Sequence, residues 1–154
     1  MDWQQGFVIA NFKDNSFDLG YYIHLYTDRL WFAHFLPLIT NGNYIKLLDG
    51  TVIFSAPQEM QGLIYQDYTN LNVQLLDEYK LDLSLFYEDF IIPDTKMDEI
   101  SIEKLNVLID KMGVIIENST AEKPYAFDLY KVLEFIDEAS QKILESINPK
   151  EEII

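Results

Sequence analysis

The chain has no cysteine, an absence that removes disulfide scaffolds, thiol nucleophiles, iron–sulfur clusters and thiolate zinc sites. Cations are scarce as well: 11 lysines and arginines stand against 26 acids in 154 residues, for a net charge of −15. A single arginine, Arg29, is among them. A surface of that sign repels the phosphates of nucleic acid, so direct nucleic-acid binding is not expected. The six glycines form neither a phosphate-cradling loop nor a dinucleotide fingerprint, and no serine stands in a G-x-S-x-G elbow. With two histidines, His24 and His34, and no thiol, the commonest general acids, bases and nucleophiles are few. The reading therefore leans away from an enzyme, and no cofactor is expected.

Long uncharged runs are missing too. The most apolar window, Leu19 to Ile39, is long enough to cross a bilayer but carries His24, Asp28, Arg29 and His34. Each charge would cost roughly 2.5–3.5 kcal/mol in hydrocarbon, so the window reads as core and no membrane association is expected. Met1 to Gly6 carry an acid and two amides where a secretory leader has lysine or arginine. Asn118-Ser119-Thr120, formally a glycosylation acceptor, then has no role, and a cytoplasmic location is expected.

What the chain does have is apolar content, 49% of residues, enough for one core of ordinary size. A single α+β domain over 1–149 is expected, with a short tail over 150–154. Phe7 to Phe12 form a short apolar run before the turn cluster Asp14-Asn15-Ser16, and Phe17, Leu19, Tyr21, Ile23 and Leu25 then alternate with period two. These predict a hairpin. Thr27 is placed to cap a helix starting at Asp28, with Leu30, Trp31, Phe35 and Ile39 on its buried side and Pro37 interrupting it. Tyr44–Leu48 and Thr51–Ser55 flank Asp49-Gly50, the strongest short-range hairpin pattern.

Pro57 can open a short helix through Gln66, with Met60, Leu63 and Ile64 three and four apart. From Leu71 to Tyr87 apolar residues return to the odd positions, predicting two half-buried strands joined near Asp77-Glu78. Ile102 to Met112 suit a helix that Gly113 ends, with a strand over Val114–Ile116. The last helix is expected over Tyr125–Ile147. Pro124 would lie in its first turn, Asn148-Pro149 would stop it, and Leu129, Val132, Ile136, Ala139 and Ile143 would form its apolar stripe. An antiparallel sheet built from hairpins, with packed helices including this long C-terminal one, follows.

Charge is uneven along the chain. Residues 1–60 hold 6 acids and 3 bases, a net of −3, whereas residues 61–154 hold 20 acids and 8 bases, a net of −12. Clustered like charge costs stability through self-repulsion but speeds association with a cationic partner. Aromatics make up 14% of the chain, 10 of them tyrosines, and tyrosine beside carboxylate is an effective interface pairing. Tyr65, Tyr68, Tyr79 and Tyr87 lie near Asp67, Asp77, Glu78, Asp82, Glu88 and Asp89 in sequence. The candidate partner-binding set is therefore Asp77, Glu78, Asp82, Glu88, Asp89 and Tyr68.

Other constellations fail on spacing. His24, Asp28 and His34 share no regular spacing across a strand-to-helix junction, which argues against a metal site. The register from Asp14 has its glycine, Gly20, one place late and Leu25 where a calcium loop needs glutamate. Glu88-Asp89 and Asp98-Glu99 are pairs that 26 acids supply by chance.

Small, cysteine-free, strongly acidic and aromatic-rich, the chain resembles bacterial immunity proteins in composition, which implies stoichiometric inhibition of a basic protein such as a toxin domain. An alternative expectation is a small-molecule binder or small enzyme with a pocket from Tyr21, Tyr22, His24, Tyr26 and Trp31. A third is a phage-type mimic of DNA charge.

Overall fold

The computed structural model describes residues 16–84, 102–117, 119, 122 and 124–148. The apolar run at Phe7–Phe12, the acids Glu88 and Asp89 and the tail 150–154 lie outside them.

The segment read as a strand over Phe17–Leu25 is instead a helix, α1, spanning Ser16–Leu30. The period-two count ignored two tyrosines. With them, Leu19, Tyr22, Tyr26 and Leu30 recur at helical spacing, Tyr22 and Leu30 being buried and Leu19 and Tyr26 half-buried, while Ile23 and Leu25 face solvent. Tyr22 buries its ring and donates its hydroxyl to Ser146 Oγ at 2.9 Å, and Ser146 in turn donates to the Ile143 carbonyl at 2.6 Å. Thr27 caps nothing; it lies inside the helix and donates to the Ile23 carbonyl at 2.8 Å. Beyond Leu30 the chain continues helically, first as a π turn, Trp31–Phe35, then as a 3-10 turn, Leu36–Leu38. Pro37, which cannot donate to the ladder, sits at the start of the tighter turn.

The hairpin at Asp49-Gly50 forms. Strands β1, Tyr44–Lys46, and β2, Val52–Phe54, pair antiparallel with Ile45 opposite Ile53. Gly50 takes φ of +89°, where a side chain would strain the backbone, and Asp49 accepts the Thr51 N–H at 2.8 Å. Ile45 is wholly buried, and Lys46 N–H reaches back to the Ile39 carbonyl at 2.9 Å, fastening the hairpin to the end of the 3-10 turn.

Helix α2 begins at Pro57 as expected but runs to Tyr79, well past Gln66. The strands expected over Leu71–Tyr87 are thereby corrected: Leu71 to Tyr79 is helical, residues 80–84 are turn and irregular chain with no strand, and residues 85–87 lie outside the described part. Leu71, Leu75 and Tyr79 are four apart as well as on odd positions, so alternation alone could not separate the two periods. The buried stripe of α2 also contains Asp67 and Asn70 beside Met60 and Leu71, and these polar members hid its helical repeat. Lys80 ends the helix in the left-handed conformation, φ 50°, while the Leu81 N–H closes onto the Leu76 carbonyl at 3.0 Å.

Helix α3, Ile102–Glu117, runs straight through Gly113 and absorbs the strand expected at Val114–Ile116. Gly113 is buried within it. Helix α4 spans Leu129–Ile147 and is the long C-terminal helix that its stripe predicts, with Val132, Ala139 and Ile143 buried. It starts later than Tyr125. The reason is Asp67, wholly buried, whose carboxylate accepts the N–H groups of Tyr125, Ala126 and Phe127 at 2.7, 2.5 and 3.0 Å and holds them in a bend ahead of the helix. Asp128 then caps the helix, accepting from the Lys131 N–H at 3.2 Å.

The core joins these segments. Phe35, Ile39, Ile45, Met60, Leu71, Ala126, Phe127 and Val132 form one buried cluster. The Phe127 ring lies 5.2 Å from Tyr68, 5.6 Å from Trp31 and 6.2 Å from Phe35. Each large side chain so removed from water contributes roughly 1.5–3 kcal/mol. Among the described residues the architecture is mostly helical with one small two-stranded antiparallel sheet, compatible with the α+β class. No described helix is long and apolar enough to cross a membrane.

Candidate partner-binding surface

Asp77, Glu78 and Asp82 are exposed at the C-terminal end of α2 and the turn beyond it. Lys80 stands between them and contacts the Asp77 carboxylate at 2.7 Å. The hydrogen bond from Lys80, then its charge, hold the Asp77 carboxyl below the usual carboxylate range. The Ser84 N–H at 2.9 Å, with the Ser84 hydroxyl, does the same for Asp82. In the hairpin, Thr51 likewise lowers Asp49, by its N–H and then its hydroxyl. All three remain charged into moderately acidic solution.

Tyr68 does not join them. Nine residues before Asp77, it lies about 13 Å back along the axis at 1.5 Å per residue and half a turn out of phase. Its ring stacks on Phe127, and its oxygen accepts the Trp31 indole N–H at 3.0 Å. Burial pushes the Tyr68 phenol up. Asp67, counted among the acids near the tyrosines, faces the core and not solvent.

The five residues of the alternative pocket are spread apart by helical geometry. Tyr22 and Tyr26 sit side by side, ring centroids 5.7 Å apart, with Tyr22 turned to α4. His24, its side chain 65% exposed, faces Asp28 at 3.6 Å. Tyr21 is half-buried, and Trp31 packs in the core against Phe35, Tyr68, Phe127 and Phe135. Among the described residues no group of three histidines or carboxylates is placed to hold a metal ion.

A second exposed set lies on α4, where Glu134, Asp137, Glu138 and Glu145 point outward with Lys131 and Lys142 beside them. More telling is how the helices end. α2 finishes with Asp77 and Glu78, α3 with Glu117 and α4 with Glu145, and none of the three has a basic residue in its last turn. At the ends of α3 and α4 the negative end of the helix dipole thus meets further negative charge, a local cost to stability, whereas at α2 the capping Lys80 offsets part of it.

The sequence reading missed a groove between the turns that follow α1 and the first half of α2. It has a volume of about 380 Å³ and is walled by Phe32, Leu36, Met60, Ile64, Tyr65 and Tyr68. Phe32 is 61% and Tyr65 57% exposed. Phe32 and Tyr65 are aromatics off the buried stripes of their helices, a pattern visible in the sequence only once those helices are assigned.

No protein-family model, curated protein or solved structure matches this chain.

Proposed function

We propose that this chain is a non-enzymatic binding protein whose acidic surface holds a basic protein, in the manner of an immunity-type inhibitor that covers a toxin domain. The observation that carries this reading is the anionic ending of α2, α3 and α4, each without a base in its last turn. Folding alone favours lysine or arginine there, so the carboxylates ending α3 and α4 are stability given up for surface charge, and at α2 the single capping Lys80 stands against Asp77, Glu78 and Asp82. Among the described residues Asp77 alone of these acids is in an ion pair, and that pair is exposed, so the field is open to an outside cation. Such fields chiefly raise the rate of encounter and set its salt dependence.

The test is capture by the immobilised chain from its native lysate at low and high salt, followed by native mass spectrometry of what is retained. A one-to-one complex with a basic polypeptide, weakened by salt and by joint reversal of Asp77, Glu78 and Asp82 to lysine, is the expected result. Retention of the same polypeptide by the reversed variant, or of no basic polypeptide at all, removes the reading.

A further inference from the structure

We infer that the groove beside Tyr68 receives an apolar side chain of a basic partner segment, whose backbone carbonyl takes a hydrogen bond from the Tyr68 hydroxyl. The inference rests on the reading above and adds where, and by what chemistry, the partner anchors.

The hydrogen-bond arrangement gives the direction. Trp31 Nε1–H occupies Tyr68 Oη as donor at 3.0 Å, which leaves the phenol its own proton to give. No hydrogen bond from that hydroxyl to another described group is present, and the ring lines the groove. Of the other polar groups in the lining, which include the Asn41 and Gln61 amides and the Tyr65 hydroxyl, the Thr40 hydroxyl is already engaged, donating to the Tyr44 carbonyl at 2.5 Å and accepting the Gly42 N–H at 3.1 Å. A free phenol donor among mostly apolar walls is the arrangement that fixes a bound group's orientation.

Charge gives the class of occupant. No acidic or basic side chain is among the groove's lining residues, the chain carries −15 overall, and the Asp28 carboxylate acts electrostatically on Tyr68. An anionic ligand is disfavoured there, whereas an apolar residue with cationic neighbours is favoured. About 380 Å³ lies at the small end of ligand pockets, roughly 300–1,000 Å³, and suits a bulky side chain more than a large cofactor. The rim has the composition of a binding hot spot, with Phe32 and Tyr65 left mostly in water. One wall is the π turn Trp31–Phe35, a conformation that is rare in helices and concentrates at functional sites.

The experiment titrates blocked tripeptides into the isotope-labelled full chain and follows backbone amide shifts by NMR. Arg-Trp-Arg is expected to shift Gly42, Gln61 and Tyr65 saturably, with Glu-Trp-Glu at least ten-fold weaker. Arg-Ala-Arg is expected to shift the amides near Asp77, Glu78 and Asp82 and leave the groove unchanged. Tyr68→Phe, which keeps the ring, should weaken Arg-Trp-Arg by about three- to ten-fold, the worth of one hydrogen bond. Gln61→Arg, an exposed change at the rim, should weaken it further without altering the melting temperature. No saturable shift at Gly42, Gln61 and Tyr65 overturns the inference. If Arg-Ala-Arg still shifts the acidic end of α2 in that case, the acidic-surface reading stands alone. Equal binding of Glu-Trp-Glu, equal binding of free indole, or the same shifts produced by raising the protein concentration alone would each assign the groove to another occupant.

Discussion

Asp67 shows how much one residue organises. Its carboxylate, wholly buried, satisfies three consecutive backbone N–H groups that begin the approach to α4, groups that would otherwise lie unpaired in the core. Asp67→Asn keeps the shape but loses the charge and turns an N–H₂ toward donors, so a loss of about 2–4 kcal/mol is expected from charge-assisted bonds. Urea unfolding measures it, and an unchanged midpoint would show that the three bonds matter little. Exposed carboxylates act differently. Asp77 has its folded pKa lowered by Lys80, so in the range beneath the ordinary carboxylate value, near 3.9, the unfolded chain binds more protons than the folded one. Its contribution is therefore complete at neutral pH and disappears as pH falls through the folded value. In an NMR titration, Lys80→Ala should bring Asp77 back toward the ordinary value and leave Asp82, held by Ser84, where it was.

At the scale of elements, legibility followed chemistry that acts locally. The hairpin at Asp49-Gly50 and the stripe of α4 were both readable, because a positive-φ turn and a strong helical repeat are properties of a few neighbouring residues. Gly50→Ala should cost about 1–2 kcal/mol, since no atom lies within 4 Å of an added Cβ and the backbone φ of +89° alone resists it. A melting curve tests this, and a neutral effect would mean the turn can relax. α1 and the second half of α2 were misread for a common reason. Leu71, Leu75 and Tyr79 satisfy two periods at once, Tyr22 and Tyr26 fall on the even positions that alternation leaves to solvent, and Asp67 is a buried carboxylate that a tally of apolar residues places there as well. Gly113 has the character of a helix stop, yet it lies buried inside α3; nearby packing overrides glycine's weak helix propensity.

For the whole molecule the dominant facts are a net charge of −15 and helices whose ends reinforce it. Self-repulsion of this size is screened over a Debye length of about 10 Å at moderate salt. Adding sodium chloride at neutral pH should therefore raise the melting temperature by a few degrees, and a fall would show that attractive pairs, not repulsion, dominate the surface. The candidate site was legible in part. Asp77, Glu78 and Asp82 are exposed as their charge implied, whereas Tyr68 was assigned to the wrong company, because its neighbours Trp31 and Phe127 come from segments 37 and 59 residues away in sequence.

Residue types and their order along the chain by themselves determined the sign of the surface, the absence of thiol chemistry, the hairpin and the C-terminal helix, all of which depend on residue type or on short-range spacing. Only the tertiary structure decided that three apparent strands, over Phe17–Leu25, from Leu71 toward Tyr79 and over Val114–Ile116, are helical, that Asp67 serves the core, and that Phe32, Tyr65 and Tyr68 share one groove. Those outcomes depend on which distant segments meet, and a side chain's partner, unlike its charge, is set by the packing of the entire chain.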